Sequence, residues 1–214
     1  MTHLLSEKLH IGLQQAGLEL AADAQQKLLY YIDLLVKWNR SYNLTAVRKP
    51  EQMVTRHLLD SLVISPYLQG RQILDVGSGA GLPGIPLAVM YPEREFTLID
   101  SNGKKTRFIT QAAAELGLTN VNVIQSRIDL FQSATEFDSI TARAFSTIKD
   151  LLSQTQHLIA KDGIFLVMKG VFPAMELEEL GELADKFAVT QTHELEVPEL
   201  DAERHLLIIK RANN

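Results

Sequence analysis

The chain has 214 residues, a net charge of −5, 46% hydrophobic residues and 22% charged residues, which is the composition of a folded globular protein. A chain of this length can bury a full hydrophobic core without a disulfide or a metal. It contains no cysteine, which excludes a disulfide scaffold, a thiolate zinc site, an iron–sulfur cluster and a cysteine nucleophile.

The sequence shows neither a membrane span nor a secretory signal. No apolar run reaches the roughly 18 residues of a spanning helix, and residues 1–8 lack the basic and long apolar segments of a signal peptide. We therefore expect a cytoplasmic protein. Residues 171–214 carry 10 acidic and 4 basic side chains, so the rest of the chain is slightly basic and can still present a basic face to a polyanion.

Residues 1–65 are predicted to be helical. Apolar side chains recur at helical spacing over residues 4–20, 22–38 and 51–65, and a polar stretch at 39–45 separates the second helix from the third. We expect residues 1–65 to form a helical extension on a second unit, residues 66–214.

The second unit alternates short apolar runs with helical stretches. The predicted strands are 73–76, 96–100, 121–124, 137–141 and 163–169, and the predicted helices are 84–91, 103–116, 146–160 and 173–186. Strands joined by helical crossovers pair in parallel. Residues 187–197 and 204–211 are joined too closely for a crossover and should be antiparallel. The sequence thus predicts an α/β fold of the Rossmann-like type, with a mostly parallel seven-stranded sheet that ends in a C-terminal antiparallel hairpin.

The most informative stretch is the glycine-rich run Asp75-Val-Gly-Ser-Gly-Ala-Gly-Leu-Pro-Gly-Ile-Pro86. It follows a predicted strand and opens a helix, where glycines let the main chain turn with positive φ and lie against a ligand. The spacing of Gly79, Gly81 and Gly84, with Asp100 placed 21 residues after Gly79, fits a dinucleotide site. An NAD(P)-dependent oxidoreductase is therefore one interpretation.

The same run also fits the loop of S-adenosylmethionine methyltransferases, in which an acid precedes three alternating glycines. Asp75 beside the loop would suit the cationic methionine end of that cofactor and repel a pyrophosphate, unless it only organises its own loop. The terminal hairpin and the lack of room for a separate substrate domain favour methyl transfer. Asp100 would bind ribose hydroxyls with either cofactor.

The chain resembles the RsmG (GidB) family of bacterial 16S rRNA methyltransferases along nearly its whole length. The matching stretches are residues 37–47, 56–61, 75–86, 100–105, 139–145, 168–170 and 203–206. The resemblance implies a class I methyltransferase that uses S-adenosyl-L-methionine to methylate N7 of the guanine at position 527 of 16S rRNA. It implies 16S rRNA or the small ribosomal subunit as partner, and we expect a monomer. A non-catalytic RNA-binding assembly factor is a further alternative.

The resemblance also implies which residues bind the cofactor. Gly77 and Leu82 would contact it from the loop, Ile128 and Asp129 would lie beside the adenine, and Arg143 would lie at the cofactor and reaction centre. Gly79 and Asp100 complete the predicted set. Relatives often have Arg-Ala-Glu where this chain has Arg127-Ile-Asp129, so the carboxylate is one carbon shorter.

Methylation at guanine N7 needs no general base, because N7 has a lone pair and no proton to lose. Alignment and exclusion of water should provide the catalysis, so no residue is assigned as catalytic beyond the candidates Arg143 and Lys169. The histidines show no metal-ligand spacing, and we expect no metal. Basic residues near the strand ends are predicted to bind RNA along one rim. These are Lys104, Lys105, Arg127 and Lys169, and Arg56 on the third predicted helix is a further RNA-binding candidate.

Three polar features have simpler explanations. Arg56 and Asp60, four residues apart on a helix, can form a surface ion pair or belong to the site. His57 is expected to be a packed histidine. The acidic stretch 176–179 is expected to be a solvated helix face.

Overall fold

The computed structural model describes residues 2–212, and the chain begins with two long helices. Helix α1 spans Thr2–Gln15 and α2 spans Ala22–Tyr42. The first is shorter than predicted, because Gly17 adopts a φ of +66° and the N–H of Leu18 turns back to Leu13 O at 2.9 Å. The second ends at Asn43, whose φ of 51° is also left-handed.

The third predicted helix is not a uniform α-helix. It begins as α3, Pro50–Met53, widens into a π-helical turn at Val54–Leu59, and ends as α4, Asp60–Leu62. A 3₁₀ turn, Ser65–Tyr67, follows. Single π turns inside helices are frequently found at functional sites, and this one carries Arg56 and His57. Apolar spacing alone does not reveal such a turn, because the buried positions are apolar in both helix types.

Seven strands form one sheet. They are β1 Gln72–Val76, β2 Glu95–Asp100, β3 Val121–Gln125, β4 Phe137–Arg143, β5 Ile159–Lys169, β6 Phe187–Glu194 and β7 His205–Arg211. Their order is β3-β2-β1-β4-β5-β7-β6. The first five are parallel, and β7 is antiparallel to both β5 and β6. The predicted fold class is confirmed.

The remaining helices cross over between the strands. They are α5 Gly84–Met90, α6 Gly103–Glu115, α7 Ile148–Thr155 and α8 Ala174–Glu178, with 3₁₀ turns at Ile128–Leu130 and Gly181–Asp185. The predicted helix 146–160 was too long, because β5 already begins at Ile159 and bulges before Ile164. The predicted helix 173–186 is broken, since Gly181 has a φ of +58°.

Two apolar layers cover the two faces of the sheet. Ile73 and Leu74 are neighbours in β1 and lie in different clusters, as the two-residue period of a strand requires. Helices α1 to α6 pack on the Ile73 side and α7 packs on the Leu74 side. The N-terminal helices therefore share a continuous core with the sheet. None of the helices within residues 2–212 has the length and apolarity needed to cross a bilayer.

The sheet topology locates the site. Strand β1 lies between β2 and β4. Strands β2 and β3 extend the sheet on one side of β1, and β4 and β5 extend it on the other side. Ligands of open α/β sheets bind outside the carboxyl ends of the strands at such a switch point. The residues that end β1, β2, β4 and β5 there are Val76, Asp100, Arg143 and Lys169.

Candidate active site

The glycine loop after β1 has the conformation that its sequence requires. Gly77, Gly79 and Gly81 have φ values of 68°, 60° and 87°, which lie in the left-handed region that favours glycine. A Cβ on Gly77 would also lie 3.3 Å from the Phe145 ring. The loop can therefore keep its shape and its open face only with glycine at these positions.

Asp75 stabilises this loop from behind. Its side chain accepts hydrogen bonds from Gly84 N at 3.1 Å and from Thr141 Oγ1 at 3.0 Å. The residue is 1% exposed, and burial raises the pKa of its carboxyl to about 6. Of the two roles considered for Asp75, the structure supports organisation of its own loop.

Asp100 holds the loop from the other side. Its carboxylate accepts hydrogen bonds from Gly79 N at 2.9 Å and Asn102 N at 2.8 Å, and Lys105 Nζ lies 3.5 Å away. Because a carboxylate offers about four acceptor positions, it can still bind a hydroxyl. The main-chain N–H of Gly79 therefore helps to hold the Asp100 carboxylate in place.

A cleft of about 360 Å³ lies in front of this loop. Four of the predicted cofactor residues line it, namely Gly77, Asp100, Ile128 and Asp129. The other three predicted residues do not line it: Gly79 donates its main-chain N–H to Asp100, the Leu82 side chain is buried in the core, and Arg143 lines a neighbouring pocket. Phe145 closes the cleft on the β4 side.

Asp129 is paired with Arg127 at the mouth of this cleft. Arg127 Nε donates to Asp129 Oδ1 at 3.0 Å and Nη2 donates to Oδ2 at 2.7 Å. These bonds lower the pKa of the exposed Asp129 carboxyl. The shorter carboxylate of this chain is thus fixed by the neighbouring guanidinium.

A second pocket, of about 430 Å³, adjoins the cleft. Its lining residues are Val47, Arg56, His57, Asp60, Arg143, Ala144, Met168, Lys169, Gly170 and Arg204. Ala144 lines both cavities and has a φ of 55°, which is uncommon for a residue other than glycine. The two cavities meet at this residue, just beyond the carboxyl end of β4.

A buried ion-pair network forms one wall of the second pocket. Asp60 Oδ2 accepts from Arg143 Nη1 at 3.0 Å, and Asp60 Oδ1 accepts from Arg204 Nε at 2.6 Å. The surface pair considered between Arg56 and Asp60 does not form. The sequence analysis gave no role to Arg204. The only sequence feature that pointed to this residue was its place in the matching stretch 203–206.

His57 is a packed histidine, as expected. Thr45 Oγ1 lies 2.9 Å from its Nε2, and Arg56 O lies 2.9 Å from its Nδ1. Burial, with the nearby charge of Arg143, lowers the pKa of His57 from 6.5 to about 4. Its imidazole is therefore neutral at physiological pH and adds no charge to the pocket.

Lys169 is also paired. Its Nζ lies 2.8 Å from both carboxylate oxygens of Glu176, which also accepts a hydrogen bond from Ile148 N at 2.8 Å. The expectation that Glu176 belongs to a solvated face is wrong, because its carboxylate joins β5 to the start of α7. Glu178 and Glu179 are exposed, as expected.

The predicted basic residues divide between the two cavities. Arg56 and Lys169 line the second pocket, and Lys105 and Arg127 line the cleft. Lys104 is exposed on α6 and lines neither. Within residues 2–212, no group of three or more histidine, aspartate or glutamate side chains is arranged to hold a metal ion.

Comparison with known proteins identifies the family. The family model described as rRNA small subunit methyltransferase G matches residues 24–207. The chain belongs to this family. A curated relative, the ribosomal RNA small subunit methyltransferase G of Stutzerimonas stutzeri, is 51% identical over 210 residues, which cover 97% of this chain and 96% of the relative. The family predicted from the sequence is confirmed.

Solved structures agree on the fold. A glycopeptide N-methyltransferase, MtfA, in complex with S-adenosylmethionine superposes with a TM-score of 0.63 at 10% identity, over 73% of this chain and 88% of that one. A ribosomal protein L11 methylase from Lactobacillus delbrueckii subsp. bulgaricus gives 0.56 at 19% identity, over 72% and 77%. The fold is that of class I methyltransferases, and the family decides between the two cofactor interpretations in favour of S-adenosylmethionine.

Proposed function

We propose that the protein transfers a methyl group from S-adenosylmethionine to a guanine of 16S rRNA in the small ribosomal subunit or its precursor. By the family resemblance, the target atom is N7 of the guanine at position 527. The observation that carries this proposal is the meeting of the two cavities at Ala144. One cavity has a glycine loop and an acid at the end of β2, and the other has guanidinium groups.

The residues around the cleft fit the cofactor. The positive φ angles of the loop and the place of Gly77 in the lining of the cleft leave main chain available to a ligand. Asp100 would accept the ribose hydroxyls, while Ile128 and Asp129 would contact the adenine. When bound, S-adenosylmethionine supplies a methyl group that is activated by the positive charge on its sulfur.

The second pocket suits a purine as methyl acceptor. Guanine offers N7 and O6 as acceptors on one edge, and guanidinium groups can donate to such atoms or to a phosphate. No group in the pocket has to remove a proton, which agrees with a neutral His57 that is already hydrogen-bonded. Positioning and exclusion of water are the tasks left to the protein.

The face around this pocket has features of a binding site for single-stranded RNA. Such sites combine basic side chains with apolar surfaces on which bases stack. Arg56 and Lys169 supply charge at the pocket. Phe172 is 42% exposed and lies two residues beyond Gly170, and Val171 and Met175 are also exposed.

Lys104, Lys105 and Arg127 would contact phosphates farther along the edge. A guanine in a loop is cheaper to extrude than a paired one.

The two predicted units contribute differently. Residues 1–65 supply Val47, Arg56, His57 and Asp60 to the second pocket, whereas residues 66–214 supply the cofactor cleft. The division at residue 65 stays a prediction. We infer that the protein acts as a cytoplasmic monomer, which a sedimentation measurement can check.

Transfer of label tests the proposal. Small ribosomal subunits from cells that lack the protein should accept a methyl group from methyl-tritiated S-adenosylmethionine, and mass mapping should locate it on one guanine. A non-catalytic assembly factor would bind the subunits and transfer no label, so that result would contradict the proposal.

A further inference from the structure

Asp60 joins three segments that are far apart in the sequence. It lies where the π-helical turn passes into α4, and its side chain is 3% exposed. Its partners are Arg143 at the end of β4, 83 residues away, and Arg204 before β7, 144 residues away. A buried carboxylate is stable only when its oxygens are paired, and here a separate guanidinium occupies each oxygen.

This arrangement fixes the position of Arg143. Nη1 of Arg143 donates to Asp60 Oδ2 and also lies 3.4 Å from Arg56 O. Arg204 holds the other carboxylate oxygen, so that the carboxylate cannot rotate freely. The guanidinium of Arg143 is thereby held beside Ala144, the residue shared by the two cavities.

Asp60 also supplies negative charge where the other charged groups are positive. Among the described residues that line the second pocket, it is the only acid. The charge of Lys169 is balanced by Glu176, and His57 is neutral. Without Asp60, the guanidiniums of Arg143 and Arg204 would face the pocket with no counterion.

The proposed reaction makes this charge important. The lone pair of guanine N7 forms the bond to the methyl carbon, sulfur keeps the electron pair of the broken bond, and the positive charge passes from sulfur to the purine. No proton is released. Two guanidiniums without a counterion beside a purine that is becoming cationic would raise the barrier, and the Asp60 carboxylate offsets one of their two charges.

We propose that Asp60 is a positioning residue for methyl transfer: held by Arg204, it fixes Arg143 at the junction of the cavities and offsets part of the positive charge that faces the purine. The inference rests on the proposed function and adds to it a residue that does not itself contact the cofactor cleft.

Two substitutions at this position separate charge from packing. Asp60→Asn keeps the size and removes the charge, while Asp60→Glu keeps the charge and adds a methylene to a buried site. We expect Asp60→Asn to lower the single-turnover rate of label transfer to small ribosomal subunits by about 100-fold. The affinity for S-adenosylmethionine and the KM for subunits should stay within about threefold. Asp60→Glu should be the faster of the two variants.

The control is Asp138→Asn. Asp138 accepts hydrogen bonds from Arg71 N and Gln72 N near the amino end of the sheet, far from both cavities, and its variant should transfer label at the wild-type rate. If Asp60→Asn also transfers at that rate, or if Asp60→Glu is the slower variant, the proposal is overturned.

Arg204→Gln provides a second route if Asp60→Asn does not fold. It leaves the Asp60–Arg143 pair in place and frees one carboxylate oxygen, and we expect turnover to fall about tenfold with unchanged cofactor affinity. Wild-type turnover in this variant would overturn the proposal. If the wild-type protein itself transfers no label, the proposed function fails, and the inference fails with it.

Discussion

The two cavities are built in different ways. The cleft in front of the glycine loop is lined mainly by residues at or just beyond the carboxyl ends of β1, β2, β3 and β4, and the shape of the loop itself depends on main-chain geometry. The second pocket relies on side-chain charges from five separate segments: Val47, the π-helical turn with Asp60, Arg143–Ala144, Met168–Gly170 and Arg204. A local main-chain motif can be recognised in a sequence, whereas a network of distant side chains becomes apparent only in the folded protein.

The largest expected effect tests the pocket. Arg143→Ala should lower kcat for rRNA methylation by about 100- to 1000-fold, because it removes a fixed donor at the junction of the cavities. The affinity for S-adenosylmethionine, measured by calorimetry, should change much less, since Arg143 does not line the cleft. The matched control is Arg71→Ala; Arg71 is exposed near the amino end of the sheet. Equal losses of affinity and turnover in Arg143→Ala would show that the two cavities do not have separate roles in cofactor binding and methyl transfer.

A complementary substitution tests the cleft. Asp100→Ala removes the acceptor of Gly79 N and the predicted ribose ligand. We expect the affinity for S-adenosylmethionine to fall by roughly 10- to 100-fold, as is typical for a lost hydrogen bond to a charged group. Turnover at saturating cofactor should fall less. An unchanged affinity would contradict the ribose assignment.

Each cavity also has a buried titratable group, Asp75 behind the glycine loop and His57 in the wall of the second pocket, and the two respond to pH in opposite directions. The pKa of Asp75 is raised from 3.8 to about 6, chiefly by burial, so the folded state binds the extra proton and stability falls as pH rises from about 4 to 6. The pKa of His57 is lowered from 6.5 to about 4, also chiefly by burial. The unfolded state then binds the extra proton, and stability falls as pH drops from about 6.5 to 4.

These opposite contributions can be separated by urea unfolding between pH 4 and 6.5. Asp75→Asn should make the free energy of unfolding rise more steeply with pH, and His57→Gln should make it rise less steeply. Each change in slope should approach about 1.4 kcal/mol per pH unit. A variant whose slope equals that of the wild type would show that the group it removes titrates normally, and a change in the opposite direction to that expected would contradict the assigned shift.

The smallest effect on methylation is expected at Phe172, two residues beyond Gly170 of the second pocket. Phe172→Ala should raise the KM for small ribosomal subunits about fivefold, because an exposed ring loses a stacking contact with a base. The kcat and the cofactor affinity should stay unchanged. Leu130→Ala is the matched control, since Leu130 is 70% exposed and lines neither cavity. Equal KM values in the two variants would exclude Phe172 from the RNA interface.

The comparison of the cavities also explains what the sequence could predict. The succession of strands and helices, the glycine loop and the place of Asp100 at the end of a strand follow from local patterns, and the structure has all three. The Arg56–Asp60 pair was considered because side chains four residues apart meet on an α-helix. The π-helical turn changes that angular relation, and Asp60 instead reaches Arg143 and Arg204. The Asp60–Arg204 pair joins segments 144 residues apart, and no local period encodes how such segments are brought together.

Ala144 sets a limit on how this protein can change. Ala144 lines both the cleft and the second pocket, on a backbone whose left-handed φ of 55° disfavours large or β-branched residues. A bulkier residue at this position would strain the chain and take up space where the two cavities adjoin. One position just beyond the end of a single strand therefore restricts the shape of both cavities.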